Sequence, residues 1–339
     1  MKNININHIT QATRGKWLST AESCPYATYF HTPYWYDIIA PKQKHLALDV
    51  SFDDGASAII PVAEIKRMGG LLTDSFSSPG GNYGGWLSTS SLGEEHVKLL
   101  TGVLMSRKNL TFRVNPFDNL SSTLIPALVS EPAPALNRPR VEFREEFTHT
   151  LDLTLGEERL YRGTSRCHKR ALRRAAGGGV TVMAAGSWEE WARYYELYKS
   201  SLARWRSGGP ELKTRTVYPL KFFRRIYENM AGHEILWLAL KGEEPVAGLL
   251  CFYWGGHAVS WHGAASAKYF DLRPNNALYW EAILDARRRG CEKFDFNPSG
   301  GYGGVESFKD RFGAARIPAP VISTKTRPRV IIARLKKLF

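Results

Sequence analysis

Nothing in the 339 residues approaches the roughly 20 consecutive apolar positions that a helix needs to cross a bilayer. Cysteine is scarce. Cys24, Cys167, Cys251 and Cys291 are scattered, and no two have metal-ligand or redox spacing, so reduced thiols in a cytoplasmic protein are expected. The nine histidines include no His-x-x-x-His pair, and no metal site is expected. A Walker loop, a dinucleotide fingerprint and a Gly-x-Ser-x-Gly elbow are all missing. These absences point away from metal-dependent hydrolysis, P-loop phosphoryl transfer and serine-nucleophile chemistry. Met1 to Thr10 is polar after Lys2 and does not read as a secretory signal.

Acid is missing from two stretches. Residues 159–188 carry seven basic residues and residues 311–339 carry eight, with no Asp or Glu in either. They account for the whole net charge of +14, and the rest of the chain is close to neutral. Two cationic patches on a neutral body call for an anionic partner: phosphates of a donor, nucleic acid, or a lipid surface. The alternative is solvated charge that serves solubility. A hydrophobic share of 43% and an aromatic share of 12% imply packed cores, and the length suits two domains.

Two halves repeat one order. In the first, His45 to Phe52 and Ala56 to Ile65 read as strands around Asp53-Asp-Gly55. Pro79 to Trp86 is glycine-rich, Ser91 with Glu94 forms a capping box for a helix to about Lys108, and Leu110 to Val114 is a strand ending in Asn115-Pro116. In the second, Glu234 to Lys241, Val246 to Trp254 and His257 to Ala265 read as strands. Asn275 or Asn276 caps a helix to Arg289, Gly290 stops it, and Glu292 to Phe296 ends in Asn297-Pro298. Between them, Leu160 to Ala176 reads as one helix. It carries Arg162, Arg166, Lys169, Arg170 and Arg173 on one face, and Leu160, Cys167, Ala171, Leu172 and Ala175 on the other. Ser187 with Glu190 caps a further helix to about Trp205. Val330 to Phe339 reads as a short basic amphipathic helix.

The segment Asn297 to Gly313 carries the most chemistry. Gly300, Gly301, Gly303 and Gly304 let a backbone lie against a ligand. Phe308-Lys309-x-x-Phe312-Gly313 then sets one cation between two aromatic anchors, a pattern suited to an anionic donor or a forming oxyanion. Acyl transfer to an amine needs a proton acceptor, oxyanion stabilisation and alignment of the reactants, without a covalent nucleophile. Lys309 is either the electrostatic group or a buttress. His262 is either the proton acceptor or a core histidine. Asp295 orients the amine, pairs with Lys309, or bonds the glycine loop, and Tyr302 is a candidate donor to the leaving group. Arg204, beside Trp205 at a helix end, is a candidate for an acceptor phosphate or carboxylate.

Together these pieces resemble the Fem-like branch of the GNAT acyltransferase superfamily, which includes peptidoglycan bridge aminoacyltransferases and BioF2-like acetyltransferases. The resemblance rests on Phe30-His-Thr-Pro-Tyr-Trp35, the basic run with its Gly-Val-Thr-Val from Ser165 to Val182, His262-Gly-Ala264 with Leu278-Tyr-Trp280, and the element from Phe294 to Gly313. It implies an α/β fold of mixed sheets in two tandem GNAT-like units, divided at residues 155/156, with a basic tail from 326. It implies transfer of an acyl or aminoacyl group, from acyl-CoA or aminoacyl-tRNA, to an amine of a cell-envelope or polysaccharide precursor. A lipid-linked acceptor at the inner membrane face is compatible with it. CoA-binding members carry a glycine-rich turn before the central helix. Here Lys268 to Asn276 has no glycine, which leaves Arg273, Asn275 and Asn276 to take a phosphate. The cations Arg166, Lys169, Arg170 and Arg173 would hold an anionic substrate. A non-catalytic RNA-binding protein on the same fold, and a peripheral membrane protein using the tail, are the competing readings.

Overall fold

The computed structural model describes residues 4–130, 140–207, 216–229 and 232–326. The chain forms two compact units, one of residues up to 147 with those from 317 onward, the other of residues 148–316. The first contains β1 (Ile6–Gln11), α1 (Arg14–Ser23), α2 (Pro33–Ile39), β2 (Lys44–Phe52), β3 (Ser57–Arg67), β4 (Leu72–Ser77) and β5 (Tyr83–Gly84). It continues with α3 (Glu94–Met105), β6 (Leu110–Val114), α4 (Asn119–Ser130) and β7 (Arg140–Arg144). The second opens with β8 (Phe147–Asp152), α5 (Glu157–Gly163), α6 (Arg166–Gly177), β9 (Val180–Ala184), α7 (Trp188–Ser207) and α8 (Leu220–Glu228). Then come β10 (Glu234–Lys241), β11 (Glu244–Trp254), β12 (His257–Ala265), α9 (Pro274–Arg288), β13 (Lys293–Asp295), α10 (Gly303–Asp310) and β14 (Ala315–Pro318). The chain then returns to the first unit as β15 (Val321–Lys325).

Each unit is built on one mixed sheet. The orders are β1-β2-β3-β4-β6-β15-β7, with β5 beside β6, and β14-β8-β13-β12-β11-β10-β9. The two run in parallel. Antiparallel neighbours β1 to β4 correspond to β9 to β12. A helix crossover, α3 or α9, then sets a parallel pair, β4 with β6 or β12 with β13, because parallel strands need a long connection. The repeated order expected from the sequence is therefore present strand for strand. The next strand in each sheet is supplied from the other half of the sequence: β15 beside β6, and β8 beside β13. That exchange places the unit boundary at 147/148 instead of 155/156, and returns residues 317–326 to the first unit.

β11 is buried on both faces, and alternate side chains enter different cores. On β11, Leu249, Cys251 and Tyr253 join Leu278, Ala282, Ile283 and Ala286 of α9 in one core. Gly248 turns to the opposite face, where a Cβ would lie 2.4 Å from the Tyr194 ring of α7, so only glycine fits beneath that tyrosine. In the first unit Val97, Leu100 and Leu104 of α3 share a core with Val50, Ile60, Val62 and Phe112.

Three helix boundaries differ from the sequence reading. The helix expected over 160–176 is two helices. Thr164 ends α5 by bonding the Leu160 carbonyl, and Ser165 caps α6 by accepting from His168 N at 3.2 Å. Short hydroxyl side chains compete for backbone groups in this way. The expected faces shift with the break: Cys167 is exposed and His168 is buried. Helix α3 starts after Gly93, not at Ser91, because His96 Nδ1 reaches back to accept from Gly93 N at 3.0 Å. Neither Asn275 nor Asn276 caps α9. Pro274 occupies its first position and disfavours helical backbone at the preceding residue, and Arg273 is the cap, in left-handed conformation at φ 57°. The Ser187–Glu190 box is present with both reciprocal bonds. The basic segment Val330 to Phe339 lies outside the described residues.

Candidate active site

Strands β12 and β13 run side by side for three residues only, His257 to Val259 opposite Lys293 to Asp295. β13 stops there and β12 continues to Ala265. The pairing of β12 with β11 slips at the same place: Leu250 faces His262 and Cys251 faces Ser260, which leaves Trp261 as a bulge. Parallel strands that part beyond their carboxyl ends are where α/β sheets receive ligands.

Asp295 sits at the parting and is fully buried. One carboxylate oxygen accepts from Thr148 Oγ1 at 2.5 Å and from Asn297 N at 2.8 Å, and the other lies 3.3 Å from His257 Nε2. A buried carboxylate needs such partners to keep its charge. The bond to its nitrogen holds Asn297 in left-handed backbone, φ 59°, which asparagine tolerates better than most residues. The Asn297 carbonyl in turn accepts from Lys309 Nζ. Lys309 lies on α10, is 3% exposed, and is not projected into solvent. Burial pushes its pKa down to about 8, against the opposing pull of Asp295 and Glu306. Asn297 Oδ1 and Ser299 Oγ are buried with no hydrogen-bond partner among the described residues. Such groups are uncommon in proteins and are met by water or ligand.

The four glycines split into two roles. Gly300 and Gly301 turn the chain at φ 63° and 82°. Gly303 and Gly304 form the first turn of α10, where backbone N–H groups have no helical partner. A Cβ on Gly301, Gly303 or Gly304 would meet nothing within 4 Å. Tyr302 caps α10 through its carbonyl, which accepts from Val305 N and Glu306 N. Helix α6 is pinned to α10: His168 Nε2 lies 3.0 Å from the Phe308 carbonyl, and its ring packs on Phe308 and Phe312. Burial holds the His168 pKa below its usual value. His149, also buried, lies 2.9 Å from Asp310 Oδ1. Its pKa is lowered by burial and then by Lys309.

Residues 162–310 match the family model for the acetyltransferase (GNAT) domain. That match likens this segment to a GNAT domain. It lies wholly within the second unit and contains the Asp295–Lys309 assembly. Solved structures extend the likeness to both units. FemX aligns over 95% of this chain and 98% of its own, with a TM-score of 0.69 at 14% identity. L-PGS from Bacillus licheniformis aligns over 96% and 97%, with 0.58 at 15%. A tandem GNAT protein from the clavulanic acid biosynthesis pathway aligns over 94% and 98%, with 0.51 at 10%. The shared feature at these identities is the tandem GNAT fold. No curated protein sequence matches the chain.

Within the matched segment the sequence-derived candidates fall into several places. Lys309, Asp295 and the glycine loop are brought together as described. His262 lies further along β12, half-buried in an aromatic cluster of Tyr194, Tyr198, Tyr218, Phe223 and Trp261, with Nδ1 2.6 Å from the Tyr194 hydroxyl. Arg204 donates to the Ala265 carbonyl at 3.2 Å and stacks over Phe270, so it ties α7 to the end of β12. Arg273, Asn275 and Asn276 stand at the start of α9. Asn276 is buried, and its Nδ2 has no partner among the described residues. Arg166, Arg170 and Arg173 are exposed along α6, whereas Lys169 folds back onto the Arg162 carbonyl and the Tyr161 ring. Sequence reasoning missed Thr148, His149, His168 and His257. Thr148 and His149 carried one signal, polar residues set between the apolar Phe147 and Leu151, where burial demands partners, whereas His168 lies in the basic run Arg166-Cys-His-Lys-Arg170 and carried none.

Proposed function

We propose that the second unit transfers an acyl or aminoacyl group from an activated donor to an amine by direct attack, without a covalent enzyme intermediate. The observation that carries this is Lys309, a buried cation held on the Asn297 carbonyl beside a glycine turn, where two parallel strands part. One of its three N–H donors is used on Asn297. The others, with the first-turn amides of Gly303 and Gly304, suit the oxyanion that forms as the amine attacks. Asp295 holds the turn, Tyr302 serves the leaving group, and His262, steadied by Tyr194, takes the amine proton. The GNAT match supports acyl-CoA as donor, with its phosphates on Arg273, Asn275 and Asn276. The fold shared with FemX and L-PGS supports an aminoacyl donor and a cell-envelope acceptor. The exposed arginines of α6 suit the phosphates of either donor. They also motivate the second reading, an RNA-binding protein without transfer.

The test is donor-dependent stabilisation followed by transfer. Acetyl-CoA or charged tRNA should raise the melting temperature, and the stabilising donor should label an amine acceptor. No stabilisation by either donor, and no transfer, defeats the reading. Stabilisation by uncharged and charged RNA alike, with no transfer, favours the second.

A further inference from the structure

We propose that one end of the first unit's sheet is a docking surface for anionic phospholipid bilayers, with the β3–β4 hairpin tip as its inserting element. Met68 and Leu71 are the most exposed large apolar side chains among the described residues, at 59% and 84%. They flank Gly69-Gly70 in a turn where Met68, Gly69 and Gly70 all have positive φ. All six residues from Lys66 to Leu71 are exposed. A soluble surface tolerates single exposed apolar residues. Two at the tip of a protruding hairpin, ringed by cations, fit the boundary between headgroups and acyl chains.

The ring follows from strand register. Lys44 opens β2 opposite Glu64, and β3 runs three residues further to Arg67. β4 starts at Leu72 opposite Arg67, and β6 starts beside Ser75, which brings Lys108 to the same end. Lys42, Lys44, Lys66 and Lys108 are all exposed there, with no ion-pair partner among the described residues. The acids at this end are already engaged: Glu64 by Arg107, Asp74 by Arg67, and Glu142 by Lys325. β15 runs antiparallel to β6 and so also ends here, at Lys325. The sequence beyond Thr326 carries five further cations, no acid, and seven apolar residues. Four uncommitted lysines beside an apolar tip match a negatively charged surface with an apolar interior. The α6 arginines, by contrast, have no apolar tip beside them. The surface lies at the start of the parallel strands β4 and β6, remote in register from their carboxyl ends, and its role does not depend on the transfer reaction.

The experiment is co-sedimentation of the full chain with vesicles of equimolar phosphatidylglycerol and phosphatidylcholine, against phosphatidylcholine alone. Binding is expected only with phosphatidylglycerol. Met68→Ser with Leu71→Ser should lower partitioning by about tenfold, and Lys66→Gln or Lys108→Gln by about fivefold each. Leu71→Trp should show blue-shifted emission on adding the mixed vesicles. The serine pair should have the same effect in a chain ending at Thr326, which separates the tip from the segment after it. Equal binding by the wild type and the serine pair, or no shift for Leu71→Trp, overturns the proposal. So does displacement of the wild type and the serine pair by tRNA to the same extent, which would assign the surface to RNA.

Discussion

Both units carry a glycine-rich stretch next to their parallel strand pair, and the two stretches do opposite things. In the first unit the chain leaves β4 after Ser77 and folds back so that Tyr83 and Gly84 pair with Arg113 and Val114 of β6. The space beside β6 is filled by its own backbone, with Tyr83 and Trp86 buried. Gly84 is required because a Cβ there would lie 2.2 Å from the Ser77 carbonyl oxygen. In the second unit no strand among the described residues takes that place beside β13. The glycines instead follow β13, make a turn, and open a short helix. At its first-turn positions a Cβ would have no neighbour within 4 Å. One glycine stretch closes a sheet and the other exposes backbone. That contrast assigns packing to the first unit and chemistry to the second.

The comparison breaks most readily at the glycines. Gly84→Ala should cost at least about 3 kcal/mol or prevent folding, because the clash is with backbone that has nowhere to move. Gly304→Ala should leave stability unchanged or raise it by about 0.5–1 kcal/mol, since a helical glycine is replaced, while transfer falls. Chemical denaturation of both variants checks this, and equal stability losses would erase the distinction.

Lys309 comes next. Lys309→Met should melt like the wild type and lose on the order of 10²- to 10³-fold in single-turnover transfer. With the pKa lowered to about 8, the side chain is charged below that pH and neutral above it. If its charge stabilises the oxyanion, the wild-type rate should decline as pH rises past about 8. Lys309→Arg, charged throughout, should lack that decline. A rate that keeps rising through this range would make the neutral amine the active form.

The cationic face of α6 should have a smaller effect. Replacing Arg166, Arg170 and Arg173 with Gln should weaken donor binding by about tenfold at low salt and flatten its salt dependence. An unchanged slope leaves those arginines as solubility features.

The smallest expected effect is the pH response of the α6–α10 contact. His168 has a folded pKa below its unfolded value near 6.5. Its contribution is therefore complete above that value and is lost as pH falls below it, because the unfolded state binds the proton more readily. His168→Gln should lose less melting temperature than the wild type between neutral pH and pH 5. Parallel losses would remove His168 from the account.

Much of this was readable before folding. Strand spans emerged from short runs bounded by turn residues, the Ser187–Glu190 cap from its own spacing, and the two-unit order from the recurrence of strand, helix and Asn-Pro. These are local signals, decided within a few residues of backbone. The Phe308-Lys309-Phe312 element was readable for the same reason, since aromatic residues four apart on a helix must share a face. The α3 start and the α9 cap failed locally, at His96 and Pro274; the other failures depended on distant partners. The break at Thr164 is made by local hydroxyls and fixed by a distant group, Arg311, whose carbonyl accepts from Ser165 N. The inward turn of Lys309 needed the Asn297 carbonyl, and Asn297 needed Asp295.

The sequence alone determined two mixed α/β units, the cationic face of α6, and a glycine turn followed by an anchored lysine. Only the tertiary structure decided that β8 and β15 exchange places between the two halves, that Thr148, His257 and Asp295 form one buried network, and that His262 packs among the aromatic rings of α7 and α8. The reason is physical. Periodicity and capping act through neighbours along the chain, whereas a buried carboxylate or ammonium is satisfied by whatever group the fold brings within about 3 Å, and sequence separation does not encode that distance.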